Sequence, residues 1–567
     1  MLATNGSHNA SESSLTSKLA HALPRDVHIT LHHVSSNPTP SAAIFAAPPG
    51  SKPEKTLCES HFVTVSVTPS STVEEILVYA IEVLIYTTEH LTTLFVSKAD
   101  STGYSRLIET PRGSPSLLKT ISSTFISHLV VTRQRPGVKL VVSLFARAQD
   151  QYLFPGSIEN SSKHVLDDRG LVRWWSGVLD SVLRQHVKAT SEHNGEDGNG
   201  DPEDATQVKG YLVVPGCDKH ETQSFLAPSA KTDPPDRKRW SNSHPLRQLA
   251  TNPDVPPRCL IPHFPDDPKA RFLDELDDEL PDSQASQNNP AKRSNTGQWK
   301  SVKTMEQFWE LMAFRQECSS GRLVGFLWVV FPPPELHSHT SNLLNGGSQV
   351  STSLAEHHPS PPTPPTKPPP KKRLLTGPIR PRPPRTKPRP PRTKPHPTTT
   401  PSLTTTPSSP AKQQPATTKY YHWPPSHRGQ LVLSAKNYHR AIDVLLRLDF
   451  AGRNVAENST RRWVDEVGVI AGTGTGTCCW GEVIVGMRVC EGRAGSERGD
   501  VRSDCLAGRK RTSAEVDVQA GAGEARLLVG PVSGGEGSLE ARKGSVGLDV
   551  NVLSEGLVRK KKKKLQP

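Results

Sequence analysis

Two periodicities of apolar residues alternate along the chain between Val27 and about residue 332. Short runs rich in β-branched and aromatic residues, bounded by turn residues, are typical of strands. Such runs lie at 27–31, 61–67, 76–86, 94–96, 139–146, 210–215 and 323–331. Apolar residues at helical spacing lie between them, at 117–131, 171–182 and 305–318. The pattern predicts an α/β domain in which helices pack on a sheet.

The N-terminus and two internal stretches interrupt this pattern. Residues 1–26 are mostly polar, which predicts a flexible N-terminus with at most a short helix around Leu15 to Leu23. Within the predicted domain of residues 27–332, polar stretches poor in apolar residues lie at about 190–206 and 283–297. We interpret both stretches as disordered insertions, because they have no apolar face to bury.

The pattern changes again beyond residue 332. Prolines dominate residues 333–418, which predicts a long, disordered and extended linker of the polyproline type. Aromatic and leucine residues return at 419–467, a segment too small to fold alone, so we expect it to dock on the first domain. The composition of residues 468–567 predicts a mostly disordered tail, which ends in a basic cluster from Arg559 to Lys564.

The helix with the clearest boundaries begins after Asp267. Asp267 is a good N-cap residue, and Pro268 suits the first helical position because an N–H there would lack a helical partner anyway. The apolar residues that follow at helical spacing, and the proline that ends the helix, are Phe272, Leu273, Leu276, Leu280 and Pro281. The helix dipole favours ionised carboxylates at Asp266 and Asp267, which could take a proton from an amine. A capped surface helix with an arginine salt bridge is the alternative interpretation.

Two other segments have the composition of ligand-binding loops. Residues 97–104 form a small, polar, glycine-containing loop after a strand. Residues 112–116 precede a helix, so an arginine and free backbone N–H groups there could bind an anion. An ordinary turn and an ordinary helix cap are the alternatives. Trp174 and Trp175 lie on a predicted helix, where tandem tryptophans are usually core residues but could line an apolar channel.

Charge and cysteine content narrow the classes of function. The 567 residues include 53 prolines and carry a formal net charge of +13, and a basic proline-rich stretch at 382–388 is repeated directly at 389–395. The positive charge of such a segment favours binding to an acidic protein or to DNA. Residues 368–374 resemble a nuclear import signal. The eight cysteines lack zinc-ligand spacing, so we expect reduced thiols and no metal site. We expect neither a secretory signal nor a membrane-spanning segment.

Five motifs that occur in one order resemble a known family. They are Phe95-Val96-Ser97-Lys98-Ala99-Asp100, Gln151-Tyr152-Leu153-Phe154-Pro155, Lys163-His164-Val165-Leu166, Trp174-Trp175 and Phe264-Pro265-Asp266-Asp267-Pro268-Lys269-Ala270-Arg271-Phe272. Together they resemble the fungal histone H3 acetyltransferases known as regulators of Ty transposition, which are akin to the metazoan CREB-binding-protein acetyltransferases. The resemblance covers about 27–332 and 419–467. It implies a central mixed β-sheet surrounded by helices, in an enzyme that transfers acetyl from acetyl-CoA to lysines of histone H3.

The resemblance also implies which residues bind the substrates. Those of the acetyl-CoA groove would be Ala99, Asp100, Ser101, Arg112, Gly113, Ser114, Pro115, Ser116, Phe145, Gln149, His164, Val165, Leu166 and Trp174. Asp267 would match the proposed acid/base of the family, with Asp266, Asp100 and Trp175 around the channel for the substrate lysine. Lys269 would match the lysine that the family acetylates on itself.

The partners follow from the same resemblance. The family acts in the nucleus on H3 that a histone chaperone presents together with H4, in replication-coupled chromatin assembly and genome stability. A lysine amine is a nucleophile only when neutral and has a free pKa of about 10.4, so a carboxylate base in a tight channel suits the reaction. A non-enzymatic chromatin or chaperone-binding scaffold is the alternative. The intact set of Asp100, Trp175, Asp266, Asp267 and Lys269 favours the enzyme.

Overall fold

The computed structural model describes most of the predicted domain and the segment that follows the linker. The described residues are 14–69, 74–111, 113–194, 208–280, 297–315, 322–334, 414–472 and 480–489, without the side chains of 188–194. Most of the two predicted insertions, residues 335–413 of the predicted linker and the basic cluster from Arg559 to Lys564 lie outside the described residues.

One mixed β-sheet forms the centre of the described chain. Its strands are β1 (His28–Ser36), β2 (Thr39–Ser41), β3 (Thr56–Val67), β4 (Ile76–Thr87), β5 (Leu91–Ser101), β6 (Lys139–Ala146), β7 (Lys209–Val213), β8 (Trp240–Ser241), β9 (Gly325–Phe331), β10 (Leu431–Leu433) and β11 (Glu482–Val485). Their order is β10-β1-β3-β4-β5-β6-β9-β7-β8, with β2 beside β3 and β11 beside β1. The predicted mixed sheet is confirmed, because three neighbouring pairs are parallel and the others antiparallel.

Helices cover both faces of this sheet. The longer ones are α1 (Leu15–Ala22), α2 (Leu117–Arg133), α3 (Asp168–Asn194), α4 (Pro268–Asp277), α5 (Met305–Ala313), α6 (Ala435–Leu445) and α7 (Arg453–Ala471), and short helical turns lie at Tyr104–Leu107, Ser157–Glu159, Lys219–Ser224, Pro228–Lys231, Pro235–Arg237, Leu246–Leu249, Pro257–Leu260 and Pro425–His427. Alternate residues of a strand face opposite sides of a sheet. Accordingly, Leu327 and Val329 of β9 pack in the core that contains α2, α3, α6 and α7, whereas Phe326 and Trp328 pack in the core that contains α4 and α5.

The β5–α2–β6 unit creates the edge at which a ligand site is expected. Strands β5 and β6 are parallel, and α2 supplies the crossover connection that parallel strands require. Their last pair is Val96 with Leu144, and β5 then continues to Ser101 without a β6 partner. In open α/β sheets, ligands bind beyond the carboxyl ends of parallel strands. The free end of β5 lies at that position.

The first helix partly confirms and partly corrects the prediction for the N-terminus. Ser14 caps α1 by accepting a hydrogen bond from the backbone N–H of Ser17 at 3.1 Å, and Leu19 and Leu23 are fully buried. The short helix predicted around Leu15 to Leu23 is confirmed, but this stretch packs in the core and is not part of a flexible N-terminus. Leucines four residues apart form an apolar stripe that packs into the main core. A helix this short is marginal alone, and its stability comes from packing that no local pattern reveals.

The segment after residue 414 completes one edge of the sheet. Strand β10 pairs in parallel with β1, from Val34 with Leu431 to Ser36 with Leu433. Helices α6 and α7 pack on the core, where Trp463 is fully buried and its Nε1 donates to the carbonyl of Ala441 at 3.0 Å.

The prediction of a disordered tail from residue 468 is also wrong in part. Helix α7 continues to Ala471, and β11 pairs antiparallel with β1. Trp480 packs against Trp463 at a centroid distance of 5.8 Å, and its Nε1 donates to the carbonyl of Val464 at 3.0 Å. The physical reason is that β1 has an unpaired edge, which a strand from a distant part of the chain can cover.

Candidate active site

A cavity of about 370 Å³ opens at the carboxyl ends of β5 and β6. Its volume lies within the range of small-molecule sites. The predicted site residues that line it are Ala99, Asp100, Ser101, Phe145, Gln149, His164, Val165, Leu166, Trp174 and Trp175. The lining residues that had no predicted role are Tyr79, Val96, Ser97, Lys98, Leu118, Leu144, Arg147, Ala148, Tyr152, Lys163 and Leu171. A second cavity of about 290 Å³ shares Ala148, Val165 and Leu166 with the first.

Two tryptophans of α3 form one wall of the cavity. The ring centroids of Trp174 and Trp175 are 4.8 Å apart, and the rings are nearly perpendicular at 88°. Trp175 is buried in the main core, and Trp174 is packed against the margin of that core. Adjacent helix residues point about 100° apart, so the pair lies both in the core and along the cavity.

Asp100 organises the opposite wall. Its Oδ2 accepts hydrogen bonds from the backbone N–H groups of Tyr152 at 2.7 Å, Leu153 at 2.9 Å and Phe154 at 3.3 Å. Its Oδ1 accepts from the Nζ of Lys163 at 3.0 Å. With both oxygens occupied, this carboxylate ties the end of β5 to the loop after β6 and shapes the cavity wall.

Asp168 ties the same loop to α3 and to the residues just before β9. It accepts hydrogen bonds from the backbone N–H groups of Ala148 and Leu323, each at 3.0 Å, and from Nε and Nη2 of Arg322 at 2.8 and 3.1 Å. Burial alone would raise the pKa of Asp168, but the hydrogen bonds from Arg322 and the two backbone groups outweigh burial and lower it. An ionised Asp168 thus holds Gln149, the neighbour of Ala148, at the cavity.

Asp266 does not line the cavity but contacts the lining residues Lys98 and Tyr152, and we call this side of the cavity its mouth. Its Oδ2 accepts a hydrogen bond from the hydroxyl of Tyr152 at 3.2 Å and lies 3.4 Å from the Nζ of Lys98, and both of these residues line the cavity. The side chain of Asp266 is 54 % exposed, and its backbone has a φ of +57°, in the left-handed region. Burial raises the pKa of Tyr152 to about 12, so the phenol stays protonated and can donate this hydrogen bond.

Asp267 differs sharply from its neighbour. Its side chain is 1 % exposed, its Oδ1 accepts from the backbone N–H of Lys269 at 2.9 Å, and its Oδ2 pairs with the Nζ of the same lysine. The predicted N-cap and the helix that follows it are confirmed. Neither Asp266 nor Asp267 is among the residues that line the cavity, but Asp266 is exposed and contacts two lining residues, whereas Asp267 is buried against Lys269.

Lys269 is buried beside the cavity. Its side chain is 3 % exposed, and its Nζ lies 4.3 Å from the ring centroid of Phe326. Phe326 pairs across β6 and β9 with Phe145, which lines the cavity, and residues paired in this way share one face of the sheet. Burial lowers the pKa of Lys269, although Asp267 opposes the shift. A lowered pKa increases the neutral fraction of the amine.

The predicted loop before α2 is not part of the cavity wall. Gly113, Ser114, Pro115 and Ser116 do not line the cavity, although Leu118, two residues further on, does. Arg112 lies outside the described residues. The assignment of these five residues to cofactor binding stays a prediction.

The lining residues without a predicted role fall into two groups, according to whether the sequence near them indicated the site. Lys98, Tyr152 and Lys163 stand inside motifs that the sequence singled out, so their proximity to the site could have been inferred from their neighbours. Tyr79 and Leu118 come from β4 and α2, and only the topology of the sheet brings them to the cavity.

Among the described residues, no group of three or more histidine, cysteine, aspartate or glutamate side chains is arranged to hold a metal ion. No helix in the same part of the chain combines the length and apolarity needed to cross a membrane.

Comparison with known proteins decides the family. The model of the histone acetyltransferase KAT11-type domain matches residues 15–139 and 134–466. The chain belongs to this family. Within it, the chain is 42 % identical over 575 residues to histone acetyltransferase rtt109 of Aspergillus flavus, an alignment that covers 96 % of this chain and 98 % of that one. The predicted resemblance to the fungal family and the predicted enzyme class are confirmed, and this KAT11-type chain is a histone acetyltransferase.

Other relatives of this histone acetyltransferase agree. The rtt109 of Schizosaccharomyces pombe is 33 % identical over 253 residues, which is 45 % of this chain and 56 % of the relative. The crystal structure of Rtt109 from Aspergillus fumigatus is similar with a TM-score of 0.61 and 42 % identity, and the alignment covers 84 % of this chain and all of the other. The family assignment favours the enzyme over the scaffold alternative.

Proposed function

We propose that the chain transfers the acetyl group of acetyl-CoA to lysines of histone H3 and that acetyl-CoA binds in the cavity at the end of β5. The observation that carries this proposal is the cavity itself, which gathers ten of the predicted site residues.

The walls of the cavity suit a long, amide-containing thioester. Residues 97–101 of β5 continue beyond the last pair with β6, so backbone groups on that side of β5 have no strand partner there. An extended amide chain can pair with such an edge in the manner of an added strand. Leu144, Leu166 and Trp174 supply apolar surface for the methylene groups between the amides. The cofactor would bring an activated acetyl group and a good thiolate leaving group.

The two adjacent carboxylates would handle the proton of the incoming lysine. Asp266 is exposed at the mouth, where it can meet the substrate ammonium and orient it. Asp267 is buried and would act as the proton acceptor behind it. Trp175 and the apolar wall would favour the neutral amine that attacks, and Asp100 would fix the loop that carries Tyr152.

Acetylation of Lys269 would connect these roles. The lowered pKa of Lys269 supports its own reaction with acetyl-CoA, because only the neutral amine is a nucleophile. Amide formation removes the charge of Lys269 and therefore the ion pair that now occupies Asp267. The carboxylate of Asp267 would then accept a proton without competition from a buried cation.

The histone would arrive as H3 together with H4 on a histone chaperone, in the nucleus. The strongly basic composition of the chain supports an acidic partner, and histone chaperones have acidic surfaces that such a chain could contact. Direct contact between DNA and the basic linker belongs to the same proposal, although the linker lies outside the described residues.

The test is transfer measured with purified full-length chain. Acetyl-CoA should raise the melting temperature, and mass spectrometry should find acetyl groups on H3 lysines when H3–H4, an acidic histone chaperone and acetyl-CoA are supplied. The absence of a thermal shift would refute acetyl-CoA binding. Equal rates with and without the chaperone would refute presentation by a chaperone, and acetylation of H4 in preference to H3 would refute the proposed substrate.

A further inference from the structure

Lys98 lies at an irregularity in the sheet next to the cavity. Glu82 of β4 pairs with Lys98 of β5, but the following Val83 pairs with Val96, so Ser97 is left without a partner. One extra residue in a strand makes a β-bulge, which bends the strand and redirects its side chains. This bulge lies in the cavity wall, and Lys98 lines the cavity.

The ammonium of Lys98 has three oxygen atoms around it. It donates to Glu82 Oε2 at 3.0 Å and Ser97 Oγ at 3.1 Å and lies 3.4 Å from Asp266 Oδ2, so each of its three N–H groups has an acceptor within reach. Burial alone would lower the pKa of Lys98, but Glu82, Tyr152 and Asp266 outweigh burial and raise it. Lys98 is therefore a permanent cation that can orient other groups but cannot accept a proton.

Glu82 connects this cation to a distant helix. The carboxylate is buried in the middle of β4, its Oε2 accepts from Lys98, and its Oε1 accepts from the hydroxyl of Tyr438 at 3.1 Å. Tyr438 is fully buried on α6, 356 residues further along the chain. Because both oxygens are occupied, Glu82 cannot turn without losing a hydrogen bond. Helix α6 thus holds Glu82, and Glu82 holds Lys98.

The other end of this chain of contacts is Asp266. Its Oδ2 receives both the Nζ of Lys98 and the hydroxyl of Tyr152, whereas its Oδ1 has no hydrogen-bond partner among the described residues. A hydrogen bond from Tyr152 and an ion pair with Lys98 on the same oxygen set the orientation of the carboxylate. They leave the second oxygen available at the mouth of the cavity.

We propose that Lys98 is a positioning residue for acetyl transfer and that the chain Tyr438–Glu82–Lys98 lets α6 set the orientation of Asp266. Lys98 holds the carboxylate so that its free oxygen meets the incoming lysine. The proposal rests on the proposed function, which gives Asp266 its role toward the substrate. Lys98 touches no reacting atom in this role.

The primary experiment compares Lys98→Met with Lys98→Arg. Met keeps the length of the side chain and removes its charge, whereas Arg keeps the charge. We expect Lys98→Met to lower kcat by at least about tenfold through misplacement of Asp266 and to leave the affinity for acetyl-CoA unchanged. Lys98→Arg should restore most of kcat. Normal kcat in Lys98→Met would overturn the proposal.

Two further variants separate function from folding. Lys98→Met leaves the buried carboxylate of Glu82 without its cation, so the double variant Glu82→Gln/Lys98→Met removes both charges and should fold while showing the same kinetic defect. Tyr438→Phe removes only the hydroxyl of a packed ring and should cause a smaller loss of kcat at unchanged affinity for acetyl-CoA. Full activity in the folded double variant would overturn the role of Lys98, and unaltered kinetics in Tyr438→Phe would overturn the role of α6.

A double-mutant cycle with Asp266→Asn distinguishes this proposal from the one it rests on. If Lys98 acts through Asp266, Lys98→Met should have little further effect in an Asp266→Asn background. If Asp266→Asn lowers kcat and Lys98→Met lowers it by the same factor in both backgrounds, the positioning role is refuted and the proposed function is not. Normal turnover in Asp266→Asn would refute both.

Discussion

Asp267 and Lys269 form an ion pair that is almost completely withdrawn from water, with side chains 1 % and 3 % exposed, at the first turn of α4. The same carboxylate caps the helix by accepting the backbone N–H of Lys269. One residue therefore combines a structural bond to the helix with an electrostatic bond to a lysine. This combination decides how the proposed catalytic role has to be tested.

The first prediction concerns Asp267→Asn. Asn preserves the cap, but it leaves the buried ammonium of Lys269 without an anion, and breaking such a pair costs about 3–5 kcal/mol. The variant should melt at a lower temperature and turn over about 10²–10⁴-fold more slowly, as expected for loss of a general base. The measurements are kcat and a thermal melt with and without acetyl-CoA.

The control for this variant is Asp267→Asn/Lys269→Gln. It removes both charges and should regain stability without regaining kcat, because the proton acceptor is still absent. Recovery of kcat together with stability would show that Asp267 has only a structural role.

The second prediction concerns Asp100→Asn. The amide oxygen of Asn can still accept hydrogen bonds on one side. Its NH₂ group, however, would face hydrogen-bond donors on the other side, either the backbone N–H groups of Tyr152 to Phe154 or the ammonium of Lys163. The loop should detach from β5, and the affinity for acetyl-CoA, measured by calorimetry, should fall at least about tenfold. Glu159→Gln, an exposed acid in the same loop, is the control and should bind normally. Equal affinities in the two variants would contradict the anchoring role.

The third prediction is a loss of stability on acidification. Burial, with Lys18, Arg133 and His61 adding repulsion, lowers the pKa of His128 to about 3. In the unfolded chain the pKa of a histidine is about 6.5, so between these values the unfolded state binds more protons and the free energy of unfolding falls as the pH falls. From pH 7.5 to pH 5, His128 alone should lose about 2 kcal/mol.

Denaturant titrations at pH 7.5, 6 and 5 test this slope. His128→Phe should make it less steep, with the remaining slope due to other histidines of lowered pKa such as His33 and His61, whereas His439→Gln, at an exposed histidine on α6, should leave it unchanged. A slope that is the same in wild type and His128→Phe would place the acid-sensitive group elsewhere.

The fourth prediction compares two truncations. Ending the chain at residue 489 preserves β11 and Trp480, whereas ending it at residue 472 removes the pairing of β11 with β1 and the contacts of Trp480 with Trp463. The shorter chain should lose about 3–5 kcal/mol, comparable to truncation of a large buried aromatic residue. Its melting temperature should be clearly below that of the longer chain. Equal melting temperatures would mean that β11 adds nothing to the sheet.

Local composition indicated residues 97–104 as a ligand-binding loop and the two tryptophans as candidates for a channel wall, and Ala99 to Ser101, Trp174 and Trp175 line the cavity. His164 to Leu166 also line it, but they lie between β6 and α3 outside any strand or helix, and only the resemblance to the family assigned them to the site. The cap at Asp267 was predictable from the sequence, since capping is a local interaction.

The pairing of charges was not predictable in this way. Lys269 and Arg271 both follow Asp267, but only the lysine turns back to it, whereas Arg271 is exposed and pairs with Glu275. The proposed role of Lys98 depends on the β-bulge at Ser97 and on the hydrogen bond from Tyr438 to Glu82. Tyr438 lies 356 residues after Glu82, so this contact forms only through the tertiary fold. Contacts over such separations depend on topology, which periodicity does not encode.

A ribosome releases strand β1 long before β10 and β11, which complete one of its edges. The backbone N–H of His33 donates to the side chain of Gln430, 397 residues later. At about 5–20 residues per second, synthesis leaves that edge unpaired for roughly 20–80 s. During this interval the nascent chain presents a strand edge that could pair with another chain. The dependence of β1 on the distant C-terminal strands therefore makes the yield of folded enzyme sensitive to the rate of translation and to cellular factors that shield exposed strands.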